Sequence, residues 1–304
     1  MHVMSAGEHP LTVTFWGVRG SVPTPGTGTS KYGGNTACLS VTCGDTTVVL
    51  DAGTGIRPLG AHLMAARHDD PHHRPCYHLL LSHTHWDHIQ GLPFFAPAYV
   101  AGTTLTIYGA AKRERFLSRI LQGQMDENYF PVQMKMLAAN VTIREIGKDV
   151  LQIGPLAIRT QPQVFHPGGT LRFRITCGDR SIVYATDVEI DQPEGAPDDV
   201  AAERAAADAR YRDFVKGADL LIGDGQYSET EYASKQGWGH TSIPVLIRTA
   251  AESAVKRVAV FHHDPDHDDD QLDRFQATYA PDGRAAAGGP EVFWAREGLS
   301  VTLP

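Results

Sequence analysis

Apolar and polar positions along the chain resolve into short strands separated by turns, with a smaller number of helices between them. Residues 11–16 alternate one by one, as a half-buried strand does. They open into 17–26, a stretch too rich in Gly and Pro for a helix or a central strand. The runs 38–42 and 46–50, split by Cys43-Gly44-Asp45, predict a hairpin, and 56–66 carries a helical period. Further apolar runs predict strands at 77–81, 103–108, 141–146, 156–160, 171–177, 181–186, 220–223 and 258–261, with helices at 111–121, 198–215 and 242–254. Segment 124–136, which holds Tyr129 and Phe130, has no clear period; it is read as core packing rather than as a lid over a cleft. Strand and helix alternate without a repeat or linker. This predicts a layered α/β sandwich in one domain over 11–304, behind a flexible 1–10.

Composition narrows the function classes. The chain has 304 residues, 42% hydrophobic and 20% charged, which suits a globular protein with a substantial core. Its formal charge of -8 argues against a surface built to hold nucleic acid by its phosphates. No signal-peptide core and no membrane-spanning run is present in the sequence, so a cytoplasmic location is expected. Cys38, Cys43, Cys76 and Cys177 show no C-x-x-C pairing and are read as small buried hydrophobes, not as a disulfide framework. His68, His72 and His73 fall in a polar connection, 68–75, and are read as solvated.

The densest chemistry is Ser82-His83-Thr84-His85-Trp86-Asp87-His88, directly behind the apolar run 77–81. A strand ending here leaves His83 and His85 pointing the same way, while Asp87 and His88 fall where the chain turns. Imidazole and carboxylate suit zinc, manganese and ferrous iron, and four donors at this density could hold one ion or two. Other candidates sit at the ends of later apolar runs: His166 after 164–165, Asp187 after 182–186, Asp224 after 220–223, and the pair His262-His263 after 258–261. Together they describe convergence on one rim of a sheet.

The pattern His83-x-His85-x-Asp87-His88 resembles the signature of the metallo-β-lactamase-fold hydrolases, whose fold is a four-layered αββα sandwich. The resemblance implies that His83, His85 and His166 bind one divalent metal, that Asp87, His88 and His262 bind a second, and that Asp187 bridges them. It favours His262 over His263, because the last ligand of the family directly follows an apolar strand. Zinc is the first expectation, with Mn2+ or Fe2+ suited to the same donors. Gly17-Val18-Arg19-Gly20-Ser21, Gly33-Gly34-Asn35-Thr36 and Leu50-Asp51-Ala52-Gly53-Thr54-Gly55 look like the phosphodiesterase branch, which includes tRNase Z and the phosphodiesterase of phosphonate breakdown. Gly239-His240-Thr241-Ser242 resembles an element of that branch whose histidine faces the scissile phosphate, here with Thr and Ser interchanged. Asp224 would orient His240, and Asp51 would orient ligand imidazoles.

The implied activity is hydrolysis of a small or cyclic phosphodiester by a metal-bound hydroxide, with Asp87 and His240 as catalytic groups and Asp224 supporting His240. Only 20 residues separate His166 from Asp187, where tRNA-processing members carry an RNA-binding arm; this argues against a tRNA substrate. The competing readings are a lactone or thioester hydrolase of the same fold and, from another class, a metal-stabilised ligand sensor without turnover. A homodimer is compatible with any of them.

Overall fold

Two mixed seven-stranded sheets stack face to face, and helices cover the outer side of each. The structure, a computed structural model, describes residues 9–66, 75–110, 116–191, 198–285 and 288–303. The first sheet uses β1 (Leu11–Gly17), β2 (Cys38–Cys43), β3 (Thr46–Leu50), β4 (Cys76–Leu80), β5 (Thr104–Ala110) and β6 (Asn140–Ile146). The second uses β7 (Val150–Ile153), β8 (Leu156–Gln163), β9 (Thr170–Cys177), β10 (Arg180–Ala185), β11 (Leu220–Asp224), β12 (Arg257–Phe261) and β13 (Glu291–Trp294). The last strand, β14 (Ser300–Leu303), returns to the first sheet, giving the orders β14-β1-β2-β3-β4-β5-β6 and β13-β12-β11-β10-β9-β8-β7. Neighbours from β3 to β6 and from β10 to β13 are parallel; the remaining pairs are antiparallel.

Burial follows from this layering. Inward side chains of both sheets, among them Leu11, Val13, Phe15, Leu39, Phe173, Ile222 and Phe261, form one core between the sheets. A second core lies under α1 (Ile56–Ala66), α2 (Trp86–Ile89) and α3 (Leu117–Gln124), filled by Ile56, Leu59, Ile89, Leu117 and Leu121. On the other side, α4 (Asp198–Val215), α6 (Ile243–Glu252) and α7 (Asp269–Tyr279) press Phe214, Leu246 and Phe275 onto the second sheet, with the single turn α5 (Glu229–Tyr232) between α4 and α6. Strand β11 is buried along its whole length because it is covered on both faces, which is why it reads as an unbroken apolar run. β1 alternates because only its inner face is fully covered.

Several expectations need correction. Cys43 and Cys177 form a disulfide across the two sheets, and Cys76 is exposed; only Cys38 of the four is a free buried thiol. The bridge joins residues 134 apart in sequence, brought together by the packing of β2 against β9, and no local spacing announces such a pair. β7, β13 and β14 are not predicted by the apolar pattern, since each has four residues and lies at a sheet edge; α7 is likewise missed. Segment 124–136 divides: Met125 and Met134 join the core, whereas Tyr129 is 81% exposed. The helix expected at 111–121 is described from Leu117 onward, and 111–115, like His68, His72, His73 and residues 1–8, lie outside the described residues. Among the described residues no helix is long and apolar enough to cross a membrane.

Candidate metal centre

Parallel strands deliver their carboxyl ends to one rim, the place where open α/β sheets present functional groups. β3 ends into Asp51; β4 ends into the loop carrying His83 and His85 and then into α2, which carries Asp87 and His88. From the second sheet, His166 follows β8, Asp187 follows β10, Asp224 closes β11 and His262 follows β12. All of these except His85 are buried, and the two rims meet.

They meet as two donor groups that share one carboxylate. His83, His85, His166 and Asp187 form the first, and Asp87, His88, Asp187 and His262 the second; in each, the donor atoms lie within 4.8 Å of one another. His166 Nε2 is 3.0 Å from His85 Nδ1. Asp187 Oδ2 is 3.6 Å from His83 Nε2 and 3.8 Å from His166 Nε2, while its Oδ1 is 3.3 Å from Nε2 of both His88 and His262. One oxygen therefore faces each group. Asp87 Oδ2 completes the second at 3.2 Å from His88 and from His262.

The far side of each of four imidazoles explains which nitrogen faces inward. Ser82 Oγ donates to Asp51 Oδ2 (2.8 Å), which leaves its lone pairs to accept from His83 Nδ1–H at 3.1 Å. His88 Nδ1–H donates to Asp51 Oδ2 (2.8 Å), His166 Nδ1–H to the Gly239 carbonyl (3.2 Å), and His262 Nδ1–H to Gln226 Oε1 (3.1 Å). Each of these rings turns its Nε2 toward the cluster, the arrangement that outer partners impose on metal-binding histidines. Asp51 is the hub, also accepting from Ser82 N–H (2.7 Å) and from Tyr184 Oη–H (2.6 Å).

Charge is distributed unevenly. Burial, with His88 close by, pushes His83 well below the ordinary histidine range, and burial lowers His166 to about 4. Burial opposes a charge on His88 too, yet Asp87, Asp187 and Asp51 outweigh it and hold His88 well above the usual range. Burial works against the charged form of Asp187, but His262, His88 and His83 keep that carboxylate well below its ordinary value. This is a good fit for a divalent cation: His83 Nε2 is buried without a hydrogen-bond partner, and the proton drawn to His88 supplies positive charge that the carboxylates demand.

A third constellation adjoins the cluster. His240 Nδ1 lies 2.8 Å from Asp224 Oδ2, and its ring is 5.4 Å from that of His166 and 5.0 Å from that of His262. Burial disfavours the imidazolium, but the Asp224 charge and hydrogen bond, helped by Asp187 and Asp87, raise the pKa to about 9. The loop that carries His240 is tied down by buried Glu189, which accepts from Gly237 N–H (2.8 Å), Gly239 N–H (3.3 Å) and Tyr232 Oη–H (2.7 Å).

The backbone is strained where the donors converge. Non-glycine residues with positive φ include Ser21 (63°), Asp51 (58°), Asp187 (53°) and His262 (62°), each costing about 1–3 kcal/mol. Ser21 N–H donates to Asp87 Oδ2 at 2.8 Å. Gly20 has to be glycine, since a Cβ there would lie 2.4 Å from the His262 ring; at Gly239 (φ 89°) it would meet His166 Nδ1 at the same distance.

The structure thus brings together His83, His85, Asp87, His88, His166, Asp187 and His262, and sets Asp224 and His240 beside them. His263 turns away, its Nε2 2.8 Å from the Ala295 carbonyl, with burial pushing its pKa down to about 3. Sequence reasoning missed Ser82, Tyr184, Glu189, Gln226 and the Gly239 carbonyl. Gln226 carries one faint signal, its place two residues beyond Asp224 at a strand end.

The family model described as "Beta-lactamase superfamily domain" matches residues 46–263. No curated protein matches the chain in sequence. Among solved structures, the metallo-beta-lactamase fold protein YhfI from Bacillus subtilis is similar at TM-score 0.66 and 19% identity, covering 97% of this chain and 100% of its own. A diphosphatase from the PhnP family is similar at TM-score 0.64 and 16% identity, covering 97% and 98%. The short form of human tRNase Z is similar at TM-score 0.59 and 15% identity, covering 96% and 99%. At these identities the likeness speaks to the fold.

Proposed function

The chain belongs to the beta-lactamase superfamily, and from that premise we propose that it hydrolyses small phosphodiesters, cyclic ones included, with two divalent ions. His83, His85, His166 and Asp187 would hold one ion and Asp87, His88, Asp187 and His262 the other. Zinc is favoured by the imidazole-rich donors, with Mn2+ and Fe2+ suited to the same set. Bound there, the ions would supply Lewis acidity and a water acidified toward neutral pH, from about 15.7 to roughly 7.

The observation that carries the choice of phosphodiester is the Asp224-His240 pair. A phosphodiester is anionic, and charge grows on its oxygens as the bond to the leaving group breaks. An imidazolium fixed by Asp224 and facing the cluster donates its Nε2 proton to such an oxygen, either to stabilise it or to release the leaving alcohol. Asp87, placed by Ser21 N–H, orients the attacking water and accepts its proton. Residues 167–186 are taken up by a turn and the β9–β10 hairpin, and the net charge is -8; both favour a small substrate over tRNA. That similar structures include a diphosphatase and a tRNase Z supports chemistry at phosphorus.

Elemental analysis of protein purified without added metal, paired with hydrolysis of bis(p-nitrophenyl) phosphate before and after chelation, tests this reading. About two metals per chain and turnover that chelator abolishes and metal restores are expected. His240→Ala should keep both metals and lose about 10²–10⁴-fold in rate. Turnover of lactones or thioesters without phosphodiester turnover would move the reading to acyl hydrolysis.

A further inference from the structure

Between Leu11 and Ser30 the chain holds a single charged side chain, Arg19, in a stretch that reads as loop from its glycines and prolines. Arg19 is nevertheless fully buried, at 0% exposure. A guanidinium out of water is costly unless its donors are met, and Arg19 makes no ion pair among the described residues. It donates instead to three backbone carbonyls: Nε to Gly33 at 2.8 Å, and Nη1 to Asp264 at 3.1 Å and to His267 at 2.5 Å. Burial disfavours its charge, while the carboxylates of Asp269, Glu297, Asp264 and Asp268 favour it. Its Nη2 is left buried without a partner. An apolar side chain of similar volume would serve stability as well or better, so packing alone does not account for an arginine here.

The contacts around the guanidinium lead to the second donor group by three routes. Gly20 N–H donates to the His263 carbonyl (2.9 Å) and His263 N–H to the Val18 carbonyl (3.0 Å), which lays segment 18–20 along the residue after His262. Gly20 then packs so close to the His262 ring that a Cβ there would lie 2.4 Å from it. Ser21 N–H, at the end of the same segment, donates to Asp87 Oδ2 at 2.8 Å. The third route starts at the other end of the fork. Asp264, whose carbonyl accepts from Arg19, also accepts through Oδ2 from Gln226 Nε2 (3.1 Å), and Gln226 Oε1 is the acceptor for His262 Nδ1–H. His83 and His166 rest on other partners, Ser82 and the Gly239 carbonyl.

We propose that Arg19 is a positioning residue for the second ion. By tying segment 18–21 to the turn 264–267, it sets Asp87 and His262, two of that ion's four donors, and none of the imidazoles of the first. A rigid fork can meet carbonyls from two loops at once, whereas an ammonium is a single point. The proposal rests on the two-ion reading. By linkage, an ion that Arg19 helps to hold also holds the loop and the turn in place.

The test is a two-step metal titration against a chromophoric chelator, with His262→Ala marking which step belongs to the second group. Arg19→Lys should weaken that step about tenfold and leave the other unchanged. A loss of packing alone would lower stability without choosing between the ions. Asp264→Ala, which removes the acceptor of Gln226 Nε2 but keeps the carbonyl that meets Arg19, should weaken the same step by less. In the wild type, metal loading should slow hydrogen exchange in peptides covering 17–22 and 262–267, a readout that needs no variant to fold. Equal weakening of both steps in Arg19→Lys, or of neither, overturns the positioning role. If that variant does not fold, exchange in the two wild-type segments that loading leaves unchanged overturns it as well. A wild type that takes up fewer than two ions after reconstitution removes the two-ion reading and the positioning role together, a result distinct from two ions held without regard to Arg19.

Discussion

The two halves of the donor cluster are built from different groups. The first offers three imidazoles and one oxygen of Asp187, with burial keeping His83 and His166 neutral. The second offers two imidazoles, Asp87 and the other oxygen of Asp187, and behind His88 stands the Asp51 carboxylate. Their supports differ too. His166 leans on a backbone carbonyl of the Gly239 loop, whereas His88 and His262 lean on the side chains of Asp51 and Gln226. An imidazole-rich site suits zinc, and a carboxylate-rich one tolerates harder ions such as manganese. Two sites that share a carboxylate can thus differ in which ion they keep.

Asp187→Asn should break the comparison altogether, since it removes the charge common to both halves. Metal content by elemental analysis should fall below one per chain and turnover by about 10²–10³-fold; a variant that still holds both metals would sink the bridging role. Asp51→Asn should separate the halves, weakening the ion of the second about 10–100-fold in equilibrium dialysis while the first is held better. Gln226→Leu isolates one imidazole, so a loss near tenfold, again in the second half alone, is expected from competition with a chromophoric chelator. If both ions weaken equally in Gln226→Leu, the halves are one cooperative unit. Tyr184→Phe is the smallest change: Asp51 keeps its Ser82 and His88 partners, both metals stay, and urea unfolding should show a loss of about 1.5–3 kcal/mol.

What could be read beforehand depended on distance along the chain. His83, His85, Asp87 and His88 are legible because their geometry is set within one strand end and one turn. His166, Asp187, Asp224 and His262 are legible because apolar strands announce the rim on which they end. Tyr184 lies within such an apolar run and reads as a core aromatic; its hydroxyl acquires a role only by meeting Asp51, 133 residues away. Glu189 and Gln226 are likewise given their partners by tertiary packing. The short edge strands gain their conformation from a neighbour rather than from their own periodicity.

The bridge between Cys43 and Cys177 makes the backbone between them a covalent ring that contains the whole His83–His88 motif and His166. A protease cutting once within that ring, for example after exposed Tyr129, severs the main chain without releasing a fragment. Such a nicked molecule would run as two pieces on a gel only after a reductant is added, with each of the two donor groups distributed between the pieces.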